Sequence, residues 1–253
     1  MGKKQVFGKC RLCLEDKRLV DSHIIPDLHF KPLKEMEGHF LKVSTNPEKK
    51  EIKAQKGFTE YLFCGICDNE RLQKNEAHLA HVLFHKKDVD ATPSDRFLTI
   101  RGYDYKKIKN GLLSILWRMS ISSRPEFSEI DLGPKHEEAI RVALLNDDLF
   151  EEEEYPVLVT APVIEGQFYA DMILAPDCVR VGSNRACRCL ISGLLFTFFV
   201  GSAPLSAVAQ PYILRKNAWQ ISVVPVENIP FLNHAFMRLA KANAIRKKRS
   251  DKI

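Results

Sequence analysis

Two pairs of cysteines have the spacing of metal ligands. Cys10 and Cys13 form one C-x-x-C pair, and Cys64 and Cys67 form a second pair further along the chain. Four thiolates arranged in this way can close a tetrahedron around Zn²⁺, with each sulfur about 2.3 Å from the metal. Because four sulfur ligands leave no coordination position open for a substrate, the spacing predicts a structural zinc site.

A histidine and three oxygen-bearing side chains lie near these cysteines in the sequence. His23 stands in the stretch DSHIIP between the two pairs, and Asp68, Asn69 and Glu76 follow the second pair. A neutral imidazole can take a proton from water, and carboxylate and amide oxygens bind hard divalent cations. The combination predicts hydrolysis of phosphodiester bonds, with His23 as the general base. The alternative is a core histidine that donates a hydrogen bond to a carbonyl group.

Two strands and a helix are predicted to position these side chains. The segments KRLVDSHIIP and FTEYLFC have the pattern of strands, and helical periodicity begins at Asp68, a favourable N-cap. On an α-helix Asn69 and Glu76 share one face, whereas Asp68 is offset from Asn69 by about 100°. We therefore expect all three to line one cleft only if Asp68 bends inward from the first turn.

The segments CRLC, SHIIP and YLFCGICDNE resemble the ββα-metal, or HNH, endonuclease superfamily in its zinc-knuckle, treble-clef form. The similarity covers roughly residues 8–85, and LLSILWRMSISSRPEFSEIDLGPKHEE extends it to a group of uncharacterised bacterial HNH-like proteins. The resemblance implies that His23 is the general base and that the four cysteines bind zinc. It also implies that Asp68 occupies the place of the His or Asn that holds a catalytic Mg²⁺ or Mn²⁺.

The sequence departs from the superfamily pattern at two positions. The superfamily has Asp directly before the base, but this chain has Ser22 there, with Asp21 one residue earlier. The helix position is Asp68 rather than His or Asn. Asp68, Asp21 and Ser22 are therefore the candidate ligands of the catalytic metal, with Asn69 or Glu76 assisting. The alternative is a degenerate site that no longer cuts.

The same helix carries a competing group of metal-binding side chains. His78, His81 and His85 recur at i, i+3 and i+7 on one helix face. Three imidazoles at that spacing could bind Zn²⁺ or another transition metal. Since no carboxylate or cysteine accompanies them in the sequence, an ordinary polar stripe on the helix is the favoured interpretation.

The pattern of elements predicts an α+β protein with two domains. Residues 1–90 are expected to form the zinc-bound ββα-metal domain, and residues 96–253 a mixed helix and antiparallel-sheet domain, with a boundary near Asp88–Arg96. In the second part, two helical segments precede short β-rich runs, among them PYILRK. The stretch 187–200 has the pattern of either an apolar helix or a buried strand, and a basic helix closes the chain.

The charge and the C-terminal sequence favour a nucleic-acid partner. The chain has 38 Lys and Arg against 32 Asp and Glu, a net charge of +6. Arg246, Lys247, Lys248 and Arg249 are predicted to contact phosphates of DNA, with RNA as the alternative substrate. The same run can also be only a solvated end. Because no G-x-x-x-x-G-K-[ST] motif is present, any ATP-driven step would need a partner protein, such as an ATPase or a sensor.

Composition and cysteine usage predict a cytoplasmic protein that does not enter a membrane. The 253 residues are 45% hydrophobic and 28% charged, and the longest apolar run, CLISGLLFTFFVG, is too short and interrupted to span a bilayer. Paired C-x-x-C motifs suit a reducing compartment. Cys178, Cys187 and Cys189 have no ligand-like spacing, so they are expected to be core or surface thiols.

These observations together predict a metal-dependent HNH-type endonuclease that acts on DNA, as a bacterial defence effector. Two alternatives remain from other functional classes. One is a non-catalytic zinc-knuckle module that binds nucleic acid, for which the Ser22 departure is the motivating feature. The other is a partner-dependent subunit of a defence complex.

Overall fold

The chain folds as a mixed α and β protein. The structure is a computed structural model that describes residues 5–34, 40–42, 48, 50, 52–85, 90–94 and 96–250. The first part of the chain contains β1 (Val6–Lys9), β2 (Asp16–His23), a 3-10 helix (Asp27–Phe30), α1 (Lys31–Lys34), β3 (Phe40–Lys42), β4 (Ile52–Ala54), β5 (Thr59–Cys64), a π-helical segment (Cys67–Leu72), α2 (Gln73–Ala80) and a second π-helical segment (His81–His85).

The second part contains most of the sheet. Its elements are β6 (Asp90–Pro93), β7 (Phe97–Arg101), α3 (Tyr105–Ile121), a 3-10 helix (Pro125–Phe127), α4 (Pro134–Asn146), β8 (Val157–Ile164), β9 (Gln167–Phe168), β10 (Leu174–Val181), β11 (Asn184–Ile191), β12 (Leu194–Val200), 3-10 helices at Gln210–Tyr212 and Val226–Asn228, β13 (Trp219–Pro225) and α5 (Pro230–Ser250).

A small antiparallel sheet, in the order β1-β2-β5, carries the first C-x-x-C pair in one of its turns. Cys10 and Cys13 lie between β1 and β2, and Cys64 is the last residue of β5, directly opposite Leu19 on β2. An irregularity in the pairing after Val20 lets β2 continue to His23, which pairs with Thr59. Both predicted strands of this region are confirmed.

The helix after the second cysteine pair is confirmed, but its winding is not regular. A π-helical segment begins at Cys67, α2 follows, and a second π-helical segment ends at His85. Asp68 lies inside the first segment and does not cap it, because the helical backbone starts before Asp68 and no side chain caps its first turn. The predicted N-cap role of Asp68 is therefore wrong.

The large sheet has eight strands. Seven follow the order β10-β11-β12-β8-β13-β7-β6, and β9 pairs with β8 at its margin. The β13–β8 pair is parallel and the other pairs are antiparallel. The stretch 187–200 lies within β11 and β12, so the strand alternative is the correct one. PYILRK, predicted as a strand, instead enters a 3-10 helix at Gln210–Tyr212, and only Ile213 makes an isolated bridge to β8.

Helix α3 packs against both the small sheet and α2. Trp117 on α3 stacks on Phe63 of β5 with ring centroids 5.6 Å apart. At Gly111 the two helices approach so closely that a Cβ atom there would lie 3.1 Å from the carbonyl oxygen of Asn75. Glu60 accepts hydrogen bonds from Ser122 Oγ at 2.7 Å and from Ser123 at the end of α3. The central helix is thus fixed beside the cysteine-bearing region.

One hydrophobic cluster of buried residues includes side chains from both parts of the chain, from Cys10 to Ile221. Of the predicted boundary near Asp88–Arg96, Asp88 lies outside the described residues. The division into domains at 1–90 and 96–253 therefore stays a prediction. Within the part of the chain that the structure describes, no helix is long and apolar enough to cross a membrane.

The three cysteines outside the C-x-x-C pairs do not all remain thiols. Cys178 and Cys187 are joined by a disulfide, so the prediction of free thiols is wrong for this pair. The two residues stand opposite each other in the β10–β11 register, with Cα atoms 4.1 Å apart. Cys189 is a buried free thiol, as predicted. The cytoplasmic location stays a prediction.

Candidate functional site

The four cysteines of the two C-x-x-C pairs converge. The sulfur atoms of Cys10, Cys13, Cys64 and Cys67 all lie within 4.8 Å of one another, close enough to hold a metal ion such as zinc. In a tetrahedral Zn–S₄ site, sulfurs at about 2.3 Å from the metal would be roughly 3.8 Å apart. The geometry therefore agrees with the metal site predicted from the spacing.

The surroundings of the sulfur atoms favour a bound cation. Burial raises the pKa of the Cys67 thiol, and the neighbouring Cys64 and Cys10 sulfurs raise it further. Four thiolates this close together, three of them on buried residues, would repel one another, so a bound cation would stabilise the charged form. The Cys64 backbone N–H donates to Cys10 Sγ at 3.4 Å, which orients one ligand. Arg141 on α4 donates to the Leu12 carbonyl oxygen at 2.6 Å and fixes the first loop.

Beside this cluster lies a cavity of about 350 Å³ that is rich in charged side chains. It brings together His23 from the end of β2 with Asp68, Asn69 and Glu76 from the helix. Its remaining walls come from the segment after β2, including the first residue of α1, and from α2 and α3. The lining residues are His23, Pro26, Asp27, Leu28, Lys31, Asp68, Asn69, Gln73, Glu76, Ala77 and Arg118.

The π-helical winding explains why three helix residues share one cavity. The offset of Asp68 from the other two was expected for a regular α-helix. Between Cys67 and Leu72 the backbone is π-helical, which widens the turn and changes the direction of the side chains that precede α2. Asp68 and Asn69 lie on this segment, and Glu76 lies on the regular α2 that follows.

Arg118 is the most deeply buried charged group of the cavity. Its side chain is 2% exposed, and it pairs with the carboxylate of Glu76, which is 12% exposed. A second guanidinium nitrogen donates to the backbone carbonyl oxygen of His23 at 2.8 Å. Burial raises the pKa of the Glu76 carboxyl, and the Arg118 guanidinium opposes that rise. A residue of α3 therefore ties the end of β2 to α2.

His23 is accessible from the cavity and lies beside an acidic residue. Its ring nitrogen Nε2 is 3.7 Å from Asp27 Oδ1. Lys34 in turn binds the same carboxylate oxygen at 2.8 Å. The imidazole side chain is 34% exposed, so it is neither a fully buried core residue nor a freely solvated one. The position is compatible with exchange of a proton with a water molecule or a substrate.

Asp21 and Ser22, two candidate ligands for a catalytic metal, do not line this cavity. Ser22 is buried, and its hydroxyl donates to the Val20 carbonyl oxygen at 3.4 Å. Asp21 lies on the exposed side of β2 near Lys56, with 3.5 Å between its carboxylate and the ammonium group. Successive side chains of a strand point to opposite faces, so Asp21 and Ser22 lie on different sides of β2. Neither position supports a role as a ligand of a metal ion in the cavity.

A hard divalent cation in the cavity would have few protein ligands. Asp68 offers a carboxylate and Asn69 an amide oxygen, while the Glu76 carboxylate is already paired with Arg118. Among the described residues, only the four cysteines form a group of three or more close metal-ligating side chains. Mg²⁺ is often held by one or two carboxylates, with water and substrate phosphates completing the coordination. The donor set fits an ion of that kind.

The histidine stripe does not assemble into a metal group among the described side chains. Nε2 of His78 accepts a hydrogen bond from the Asp104 backbone N–H at 3.0 Å, and burial lowers the pKa of the ring. The side chain of His85 lies outside the described residues. The bond to Asp104 gives His78 a structural role at the start of α3.

The basic C-terminal run lies at the end of α5, a helix that the sequence predicted. The side chain of Lys247 is exposed. The side chains of Arg246, Lys248 and Arg249 lie outside the described residues. Contact of this run with phosphates stays a prediction.

Sequence reasoning missed Arg118, Asp27, Lys31 and Gln73 as cavity residues. Asp27 follows His23 by four residues, a spacing that a search for neighbours of the base could have found. Arg118 offered no comparable signal, because it stands near the end of an apolar helical segment far along the chain, and the same helix also buries Lys109.

Comparison with known proteins gives no match. No protein-family model, no curated protein and no solved structure is similar to this chain at a significant level. The geometry of the cysteine cluster and of the cavity therefore carries the functional argument.

Proposed function

We propose that the protein is a metal-dependent endonuclease of the zinc-knuckle HNH type, which hydrolyses phosphodiester bonds in DNA as a bacterial defence effector. The observation that carries the proposal is the cavity beside the cysteine cluster. His23 lines this cavity together with Asp68 and Asn69, which directly follow the last cysteine. The order of a hairpin with a cysteine pair, a strand ending in the second pair and a helix matches what the motif resemblance implies for a treble-clef, ββα-metal fold.

The cysteine cluster serves as a structural zinc centre in this proposal. Its four ligands are all sulfur, and three of the four cysteines are buried. A closed four-sulfur site has no position for a substrate or an activated water molecule. The zinc would instead hold the β1–β2 turn against the start of the helix, and so fix His23 relative to Asp68.

In the proposed reaction His23 takes a proton from the attacking water molecule. Arg118 holds the backbone of His23 through its carbonyl oxygen, and Asp27 flanks the ring. Asp68 and Asn69 would hold Mg²⁺ or Mn²⁺. When bound, such an ion would supply positive charge to the phosphate and to the leaving oxygen. Lys31 at the cavity wall adds a further cation that can attract the phosphate.

A second candidate function is a non-catalytic module that binds nucleic acid, alone or as the partner-dependent subunit of a defence complex with a sensor or ATPase. The observation that favours it is the pairing of Glu76 with Arg118, which reduces the carboxylates open to a metal. Asp21 and Ser22 do not line the cavity, which further reduces the number of groups that could bind a metal there. In this alternative the zinc centre and the fold would remain, and the chemistry would be lost.

Nicking of supercoiled plasmid separates the two functions. The purified full chain is incubated with plasmid in Mg²⁺, in Mn²⁺ and in a chelator that does not remove the thiolate-bound zinc. Conversion to open circles that depends on the divalent ion supports the nuclease. Gel retardation of the same DNA without nicking in any ion, and with an RNA substrate also intact, supports the binding module.

Two substitutions test the roles of the base and the ion ligand. We expect His23→Ala to lower cleavage by about 10²- to 10⁴-fold, the usual contribution of a positioned acid or base. Asp68→Ala should also lower cleavage, but excess Mg²⁺ or Mn²⁺ should partly restore it in this variant alone, because Asp68 acts through the ion. Rates are measured by single-turnover nicking over a range of ion concentrations.

Matched controls are available on exposed positions away from the cavity. His234→Ala on α5 and Asp171→Ala before β10 should cleave like the unmodified protein. If Asp68→Ala keeps full activity while Asp21→Ala is inactive, Asp68 is not the ligand of the ion. The proposal that the protein is a nuclease would still hold. If His23→Ala cleaves normally, the proposed base is wrong.

A further inference from the structure

An exposed aromatic ring lies close to the first cysteine pair, on the small sheet. Phe7 is 70% exposed, and its strand β1 stands at the end of the order β1-β2-β5. Lys9 lies on the same side of β1, two residues further along, and Arg18 stands directly opposite Phe7 on β2. Both basic side chains are exposed. A large apolar ring is therefore presented to solvent among cations.

A groove continues this surface towards α3 and α4. It has a volume of about 480 Å³, and the buried Trp117 forms part of its floor. Lys9 and the exposed Arg11 line it, and Leu14, which is 43% exposed, adds a second apolar side chain. None of these residues lines the charged cavity. The surface, which we call the knuckle face, consists of Phe7, Lys9, Arg11, Leu14 and Arg18.

Most of the acidic groups around the knuckle face are already engaged. Glu138 accepts two hydrogen bonds of 2.7 Å from Arg141, and Glu137 accepts one of 2.6 Å from a serine hydroxyl of α3. Glu15 pairs with a lysine of β2 at 2.7 Å. Within the described part of the chain, the three cations of the knuckle face form no ion pair, even with Asp16, which stands opposite Lys9. The face therefore keeps an excess of positive charge, which fits a polyanion.

The exposed ring indicates which kind of polyanion fits. In a duplex the bases stack on one another, whereas an unpaired strand can offer the face of a base to an aromatic side chain. An acidic peptide would neutralise the cations but would leave Phe7 without a flat partner. A positively charged groove with an aromatic ring beside it is typical of proteins that bind single strands without sequence preference.

We propose that the knuckle face binds single-stranded nucleic acid, with a base stacked on Phe7 and phosphates bound by the three cations. The inference rests on the proposed function for the class of ligand, but binding at this face does not require cleavage. Arg18 precedes His23 by five residues on β2, which is roughly 16 Å along the strand. The substrate of the charged cavity would then carry an unpaired strand near the bond that is cut.

Fluorescence anisotropy with a labelled oligothymidylate of about 12 nucleotides tests the proposal. The full chain is titrated without added divalent ion, so that cleavage does not interfere. We expect Phe7→Ala to weaken binding by about tenfold, as the loss of one stacked base predicts, and Phe7→Tyr to bind like the unmodified protein. Phe168→Ala is the matched control, because it removes a ring that is 45% exposed on β9 of the large sheet.

The salt dependence of binding tests the phosphate contacts. Lys9→Gln, Arg11→Gln and Arg18→Gln should each lower the slope of log K against log salt by about 0.7, whereas Phe7→Ala should leave the slope unchanged. Arg101→Gln on β7 is the control for loss of an exposed cation. A duplex of the same length should bind the unmodified protein more weakly, and Phe7→Ala should not change its affinity. Zinc content and thermal unfolding confirm that each variant is folded.

The proposal is overturned if folded Phe7→Ala binds the oligonucleotide unchanged, or if the duplex binds as tightly as the single strand. It is also overturned if an acidic peptide binds through Phe7 and the oligonucleotide does not, or if sedimentation shows a dimer that Phe7→Ala dissociates. Plasmid nicking by the same proteins separates this inference from the nuclease. Binding that depends on Phe7 without any nicking would contradict the nuclease alone, and nicking with binding that is independent of Phe7 would contradict the knuckle face alone.

Discussion

The cysteine cluster and the charged cavity lie next to each other at the start of the same helical segment, but they are built in opposite ways. The cluster uses four ligands of one type, and all of them belong to the first 67 residues. The cavity mixes carboxylates with an imidazole and a guanidinium, and it takes Arg118 from the distant helix α3.

The difference concerns what neutralises the buried groups. In the cluster the burial of Cys67 raises its pKa, and the two nearby basic side chains, Lys17 and Arg141, are paired with Glu15 and Glu138. A metal ion held by the four cysteines would supply the positive charge that favours their thiolate form. In the cavity the carboxylate of Glu76 already has a cation from the protein, Arg118. The first region would be completed by a metal ion, whereas in the second a protein side chain already neutralises one of the carboxylates.

The largest effect is expected for loss of a cysteine ligand. Cys64→Ser should remove zinc and lower the melting temperature by more than about 10 °C, because structural zinc contributes on the order of 10 kcal/mol to small folded domains. Metal analysis and thermal unfolding measure the two quantities. Cys189→Ser, which changes a buried free cysteine outside the cluster, should keep its zinc. A Cys64→Ser protein with normal zinc content and melting would contradict the metal centre.

A smaller effect is expected for loss of the cation in the cavity. Arg118→Met should lower the free energy of unfolding by about 3–5 kcal/mol, since it leaves the Glu76 carboxylate buried and unpaired. Adding Glu76→Gln to this variant should restore part of the loss. Urea unfolding at neutral pH measures the three proteins. Arg101→Met removes an exposed pair with Asp90 and should cost less than about 1 kcal/mol.

The pH dependence of Arg118→Met distinguishes charge from packing. If the loss arises from an unpaired carboxylate, acidification should reduce it, because protonation of Glu76 removes the buried charge. A penalty that is the same at pH 5 and pH 8 would show that Arg118 stabilises the fold only by packing. The Glu76 carboxylate would then not need the Arg118 cation, and the two regions would not differ in how their buried charges are neutralised.

An intermediate effect is expected from His29, which anchors the cavity wall that carries Asp27 and Leu28 to the large sheet. Its pKa is about 3 in the folded protein, below the ordinary value of 6.5. The unfolded chain therefore binds the proton first as the pH falls. Stability from this residue is complete above pH 6.5 and decreases towards pH 3, by roughly 2–3 kcal/mol between pH 7 and pH 4.5.

Urea unfolding of the unmodified protein and of His29→Gln over this pH range checks the prediction. The variant has no imidazole to protonate, so its stability should change less with pH. Zinc content is followed in the same samples, because acid also protonates the cysteine ligands. Equal pH slopes for the two proteins at constant zinc content would contradict the assignment.

The smallest effect is expected at the C-terminus. Removal of residues 246–253 should weaken DNA binding and flatten its dependence on salt concentration, since each lost phosphate contact lowers the slope by about one. The fold and the zinc content should not change. Binding measured at several salt concentrations with an unchanged slope would show that the basic run is only a solvated end.

Local sequence determined the elements and the cysteine cluster. The strand patterns gave β2 and β5, and helical periodicity gave α3, α4 and α5, because a strand or helix with one buried face needs a regular repeat of apolar residues. The C-x-x-C spacing predicted the convergence of four sulfurs, because the first pair lies in the turn before β2 and the second at the end of β5, the strand that pairs with β2. Ligand type and short spacing are sufficient for such a site.

Only the tertiary structure decided which distant residue completes the charged cavity. Arg118 reaches Glu76 and the His23 carbonyl oxygen because α3 packs closely on α2 at Gly111, a contact between residues far apart in sequence. The disulfide between Cys178 and Cys187 depends in the same way on the register of β10 with β11. A sequence specifies which groups can pair locally, but the partner of a buried charge or a cross-strand cysteine is set by packing and register, which no local pattern contains.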